Sequence, residues 1–310
     1  MRSGVFLQDE TGFGEFDATL GARFSYYDFA FDGFDDGPKE EGSFDSLAFS
    51  GTLARQLSDS VRVTGTLAQG YRAPNLEDLA NTGTFAGGTE IGNPELDPER
   101  ALSADLALDY SRGLWTAGAA AFFTRIKDAI GRILLDEGDP GTTGDETYLR
   151  ENVGRVDLYG GEARLRHPIG DAGLFGAYSA TLTKGRQFDD VLDPTDGVTD
   201  ARRIPPLFGR AALEYRPAAA VLGVADWIDL ELLWADEQDD LNKLDKLDPR
   251  INPDGTAGWG ELNFDLGGGF SQALTWNAGV HNIFDKEYRV HSSGIDAPGR
   301  ALVFGLDYHP

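Results

Sequence analysis

The chain has 310 residues, with 52 Asp+Glu against 27 Lys+Arg, a formal charge of −25. That surplus of acid argues against a nucleic-acid partner, because neutralising phosphates needs a basic surface. Cysteine is absent, which excludes a disulfide framework, a thiolate zinc site and a Cys nucleophile.

Taken from the N-terminus, the residues alternate with period two almost throughout. Phe16, Ala18, Leu20, Ala22, Phe24 and Tyr26 interleave with Asp17, Thr19, Gly21, Arg23 and Ser25. A strand places such sets on opposite faces. The split returns at Leu102–Tyr110, at Gly209–Arg216 and at Leu302–His309. It predicts about thirteen strands of roughly 9–11 residues or more. They start near Val5, Phe16, Phe44, Val61, Leu102, Leu114, Asn152, Leu174, Leu207, Ile228, Leu262, Leu274 and Leu302.

The connections alternate in length. Gly12–Glu15, Ser58–Ser60, Ser111–Gly113, Gly170–Gly173 and Ser271–Gln272 are short. Tyr27–Ser43, Ala73–Arg100, Asp136–Thr147, Gly185–Arg203, Ala235–Gly258 and Lys286–Arg300 are long and mostly acidic. Short turns at one rim and long loops at the other are the pattern of an outer-membrane barrel. Aromatics near strand ends (Tyr26, Tyr71, Tyr110, Tyr178, Tyr215, Trp234 and Tyr308) suit interfacial girdles. On this reading Leu20, Phe24, Leu106, Leu213 and Phe304 face lipid, and Arg23, Asp105, Arg210 and Glu214 face the lumen. No run of 18 apolar residues offers a transmembrane helix, and the first ten residues lack the apolar core of a signal peptide.

Four motifs are specific. Tyr71 opens YRAPNLEDL, and GTFAGGTEIGNPELDPERA follows from Gly83; then come ENVGRVDLYGGEARL from Glu151, RRIPPLFGRAALEY from Arg202 and HNIFDKEYRVHSSGIDAPGRALVFGLDY from His281. In this order the chain resembles the barrel of TonB-dependent outer-membrane receptors. Asn93, Pro94, Leu96, Pro98 and Glu99 match the family's Asn-Pro-x-Leu-x-Pro-Glu box.

The resemblance implies an all-β, antiparallel transmembrane barrel that takes up a scarce nutrient of the siderophore, cobalamin or haem class. The energy would come from the inner-membrane TonB complex. It assigns residues 1–310 to the C-terminal part of that barrel, about 13 of about 22 strands. The plug, TonB box and signal peptide are expected to be absent, so the chain is not expected to transport alone. Outer-membrane lipid and the barrel-assembly machinery are the remaining implied partners. That machinery reads a terminal aromatic, and here His309 and Pro310 follow Tyr308. An enzyme on a smaller barrel and a β-rich surface binding module are the alternatives.

Candidate ligand-path residues are Tyr71, Arg72, Phe85, Thr89, Glu90 and Asn93. Arg72 is suited to bidentate binding of carboxylate or phosphate; the competing reading is that its box ends a strand and fixes the loop exit. Haem receptors of the family commonly place a histidine between the two boxes, and none lies between Tyr71 and Glu99 here, so haem is not the expected cargo. His291 is the one histidine positioned as an external axial ligand, with a solvated loop histidine as the plainer reading. Acidic runs at Asp189, Asp190, Asp193, Asp196 and Asp200, and at Asp236, Glu237, Asp239 and Asp240, lack the twelve-residue calcium-loop spacing and read as solvated faces. No nucleophile-elbow, zinc-protease or phosphate-loop motif is present. No catalytic, cofactor or metal residue is therefore assigned.

Overall fold

The computed structural model describes residues 2–32, 39–85, 88–136, 138–139, 144–188, 197–246, 248 and 250–309, with the side chain of Phe85 outside that description. One antiparallel sheet dominates. Its continuous path joins, in chain order, β1 (Arg2–Phe13), β2 (Phe16–Phe31), β3 (Glu40–Ser58), β4 (Val61–Arg72), β7 (Glu99–Arg112), β8 (Trp115–Lys127), β11 (Arg155–Ile169), β12 (Leu174–Phe188), β14 (Phe208–Tyr215), β15 (Trp227–Ala235), β16 (Trp259–Gly269), β17 (Leu274–His281) and β18 (Ala301–Tyr308). These thirteen correspond to the thirteen alternating segments of the sequence. Short β13 (Val198–Asp200) pairs with β12. The sheet is open, with β1 and β18 as its two edges.

Turn chemistry sets the hairpins. Gly14 (φ 63°) and Gly113 (φ 59°) supply the left-handed residue that tight connections demand. One connection departs from the short-turn pattern: 216–226, between β14 and β15, is longer and carries its own bridge, Val221 to Ala225. At the other rim the hairpins outgrow a bilayer. β3 is 19 residues long, about twice what a tilted strand needs to cross.

Unbroken register from β4 to β12 preserves the two faces. Leu20 (59%), Phe24 (43%), Leu106 (60%), Leu213 (43%) and Phe304 (68%) are exposed, as residues awaiting lipid should be. The opposite face carries ion pairs: Arg166–Glu214 at 2.9 Å, Arg62–Asp17 at 3.0 Å, and contacts of Arg210 with Glu231 and Glu214. Charges held this way lie on the concave, lumen-side alternates.

The long loops are more ordered than their composition suggests. The long connection read at Asp136–Thr147 joins two further strands, and the barrel strand before it stops earlier than the sequence suggests. β8 ends at Lys127, Asp128 takes φ 55°, and β9 (Ile130–Asp136) then pairs with β10 (Thr147–Asn152). A positive φ at a non-glycine residue reverses the chain locally and takes it out of the barrel ladder. Likewise the 73–98 connection holds α1 (Leu76–Ala80), β5 (Thr82–Phe85) and β6 (Gly88–Ile91). The four short strands form a second sheet, in the order β5-β6-β10-β9, above the long-loop rim. A second short helix, α2 (Lys243–Lys246), lies in the loop after β15.

Candidate ligand-binding site

Asn75 starts α1 with a capping box: its side chain accepts from Asp78 N, while the Asp78 carboxylate accepts from Asn75 N. Asp78 is thereby fixed and buried, and also receives Arg72 at 2.7 Å. Arg72 reaches Glu99 as well, whose other oxygen accepts from Ile130 N. From Asp78 the charges continue inward. Arg150 on β10 lies 3.7 Å from Asp78 and bonds Glu90 of β6, and Glu90 in turn holds Arg132 of β9. Buried carboxylates thus alternate with guanidiniums from the barrel wall into the loop sheet.

That chain opens onto a cavity of about 660 Å³. Arg132, Arg150, Arg202, Arg203 and Arg250 line it, with Asp248 as the carboxylate among its wall residues. Val156, Leu158 and Ile204 supply apolar wall. Asp248 binds Arg203 at 2.7 Å and Arg250 at 2.7 Å, and these hydrogen bonds hold its carboxyl well below the usual carboxylate range. Behind it, buried Asp245 accepts from Arg202 at 3.2 Å and from the Arg203 backbone. Desolvation pulls the Arg132 guanidinium below its usual value, with Arg150 and Arg202 adding repulsion against the favourable Glu90. Desolvation also raises Tyr148 on the same wall. Five guanidiniums converge on one cavity in a chain carrying −25. The volume suits a small molecule, and the lining suits an anionic one.

None of the predicted residues is among those that line this cavity. Arg72 and Glu90 belong to the chain of charges, and Glu90 orients two wall arginines. Thr89 lies in β6, its N–H donating to Glu146 O at 2.8 Å. Asn93 clamps the loop: Nδ2 donates to Arg150 O at 3.0 Å and Oδ1 accepts from Glu95 N. The Tyr71 ring packs against Tyr27 with centroids 6.1 Å apart. Phe85 ends β5, with its side chain outside the described residues. The wall arginines went unrecognised in the sequence. Arg202 and Arg203 open a quoted motif and Arg150 immediately precedes another, so the signal available was their position at motif edges.

His291 is not the solvated loop residue expected. Its Nδ1 bonds Thr256 Oγ1 at 2.9 Å and its Nε2 is buried. Desolvation lowers its pKa from the ordinary 6.5, against an opposing pull from Asp245. Of the acidic runs, Asp189, Asp190, Asp193 and Asp196 lie outside the described residues. Asp240 pairs with Lys184 at 2.6 Å, and Asp236 caps Glu237 N. Among the described residues no group of three or more acidic or histidine side chains is placed to hold a metal ion.

An open antiparallel sheet with apolar outside, charged inside and elaborated loops at one rim defines a wall of an outer-membrane β-barrel. The chain belongs to the TonB dependent receptor-like β-barrel family, whose model matches residues 1–283. It is 26% identical over 311 aligned residues to the iron-regulated outer membrane virulence protein of Vibrio cholerae, covering 97% of this chain and 43% of that protein. It is 23% identical over 276 residues to the ferric enterobactin receptor PirA of Pseudomonas aeruginosa, covering 82% and 35%. In structure it resembles the copper transporter OprC (TM-score 0.76, 18% identity, 99% of this chain and 48% of that one). The FrpB iron transporter of Neisseria meningitidis is similar too (TM-score 0.70, 17% identity, 99% and 45%). The chain therefore spans less than half the length of these relatives, and its place is the outer membrane.

Proposed function

We propose that these residues form the C-terminal part of the barrel of a TonB-dependent receptor, with the long loops outside the cell. The cargo is an anionic metal chelate of the ferric-siderophore kind. The five-arginine cavity at the long-loop rim carries this reading. A carboxylate or catecholate chelate presents paired oxygens that guanidinium forks bind bidentately. The names of the relatives, an iron-regulated protein and a ferric enterobactin receptor, agree with it. Coupling to the TonB complex would run through a plug contributed by residues beyond this chain. Haem fits less well: no histidine lies between Tyr71 and Glu99, and the Nδ1 of His291 is engaged with Thr256.

The test is ligand binding by the full-length protein in detergent, followed by tryptophan quenching. An anionic ferric tris-catecholate is expected to bind, and the double variant Arg202→Gln/Arg250→Gln to bind at least about tenfold more weakly, since each lost charge-assisted contact is worth about 1.5–3 kcal/mol. Equal binding of a neutral ferric chelate, unchanged in the variant, would refute the cargo class.

A further inference from the structure

The connection from β14 to β15 differs from its neighbours at the short-turn rim. Its central stretch, PAAAVLGVA from Pro217, holds no polar or charged side chain, whereas the other short turns each carry at least one. Its tip is disfavoured in backbone terms as well. Val224 N donates to Val221 O at 3.1 Å across Leu222 (φ 52°) and Gly223 (φ 75°). Two central residues with positive φ make a type I′ turn, where Asn, Asp or Gly is the usual first residue. A leucine there is strained, and this one is 95% exposed. One exposed apolar residue is ordinary. One held in a strained conformation and left almost fully exposed points to a contact outside the protein.

Sheet register fixes the face that carries this turn. Leu266, Ala278 and Phe304 stand in one row, and Gly268, Trp276 and Leu306 in the next towards the short-turn rim. Phe304 and Leu306 are exposed, so both rows lie on the lipid-side face. A β-carbon on Gly268 would project to that face and collide with Val224 O, whereas one on Gly267 would meet the Trp227 ring on the lumen side. Two bonds pin the seat: Asp226 N donates to Gly267 O at 2.8 Å, and Gly269 N donates to Asp226 Oδ2 at 2.8 Å. The flanking Arg216 is drawn away, donating to Asp229 at 2.9 Å. The turn therefore folds over the outer surface of β16.

The seat is level with aromatic residues of that surface. Gly268 stands opposite Trp276, and exposed Phe270 packs on Trp276 with centroids 6.1 Å apart. Tyr308, a girdle residue, lies two positions beyond Leu306 towards the rim. Trp and Tyr gather at the boundary between hydrocarbon and water. Backbone groups entering that layer need internal partners, and Val221 N to Ala225 O at 2.8 Å and Ala225 N to Val221 O at 3.1 Å supply them here.

We infer that the 217–225 connection is a membrane-interface anchor. Leu222 and Val224 insert among the phospholipid acyl chains of the leaflet at the short-turn rim, and the bilayer covers them. The inference rests on the chain being a barrel wall. It is independent of the cargo and of which rim lies outside the cell.

The test is a spin-label depth measurement on the full-length protein in vesicles of phosphatidylethanolamine and phosphatidylglycerol. These 310 residues contain no cysteine, so labels enter singly as Leu222→Cys and Val224→Cys. Leu213→Cys on the lipid-side wall and Asp59→Cys in the β3–β4 turn are references, and parent protein treated with the label supplies the background. Oxygen concentrates in lipid and a neutral nickel chelate in water. The ratio of oxygen to nickel collision rates is expected to be several-fold higher at 222 and 224 than at 59, approaching that at 213. In a Leu222→Asn background, where asparagine suits the positive φ and keeps the turn, the ratio at 224 should fall towards that at 59. An unchanged ratio in that background overturns the inference. So does a nickel preference at 222 and 224 like that at 59, or protection from both reagents, which would mean that protein covers the turn. A nickel preference at 213 would refute the lipid-side facing and the inference with it. With 213 in lipid, failure at 222 and 224 leaves the barrel reading standing.

Discussion

Glu90 is the residue on which the cavity's charge depends, since it holds both Arg132 and Arg150 while only 5% of its side chain is exposed. Removing one partner of a buried ion pair strands the other, at a typical loss of about 3–5 kcal/mol. Glu90→Gln should therefore loosen the loop sheet, seen as faster amide exchange in β6, β9 and β10, while the barrel strands stay protected. Uniform exchange rates in variant and parent would contradict the assignment. His291 supplies a pH dependence whose sign is fixed. Burial holds its folded pKa below 6.5, so the unfolded segment takes up a proton that the docked one refuses. Docking is then at full strength above about pH 6.5 and weakens as pH falls below it. His291→Gln should flatten the pH dependence of amide protection around Thr256 between about pH 5 and 7.

At the scale of the element, the alternation makes a testable distinction between neighbours. Leu106 lies on the lipid-side face and Asp105 on the other. Arginine at Leu106 should cost about 2–4 kcal/mol near the bilayer midplane, and at Asp105 much less. Equal refolding yields into lipid for Leu106→Arg and Asp105→Arg would exclude this facing. The strands themselves were legible because half-buried β structure writes its period of two into every segment. Their upper ends were not. β8 stops at Lys127 because Asp128 adopts φ 55°, a backbone choice that composition does not announce. β5, β6, β9 and β10 are short, and β6 and β10 pair in parallel across 57 residues of chain, so no local period marked them as a sheet.

For the whole molecule, the open sheet is the controlling fact. β1 is exposed along its length, with Val5 67%, Phe6 69% and Leu7 74% accessible on both its faces. In lipid an unpaired strand edge leaves backbone groups unsatisfied at several kcal/mol each. The 310-residue chain expressed behind a borrowed signal peptide is accordingly expected to give no TonB-dependent uptake in receptor-deficient cells. Uptake of a siderophore, cobalamin or haem by that chain would overturn the reading of it as part of a larger barrel. Orientation is open to the same kind of check. Epitope tags at Asp139 and Ser111 in the full-length protein should label on intact cells at Asp139 alone, and labelling at Ser111 alone would invert the barrel.

By itself the sequence determined the number of barrel strands, the parity of each, the rim on which the long loops lie, and the family. All of these follow from local order: alternation, turn residues and contiguous motifs. Tertiary structure alone decided the cavity. Arg132, Arg150, Arg202 and Arg250 come from β9, β10 and two loops separated by tens of residues, and only the folding of those loops over one another brings their charges together. Arg100, Lys127 and Arg155 are of the same kind, because residues 27 and 28 positions apart become neighbours through strand register, and register belongs to the sheet as a whole.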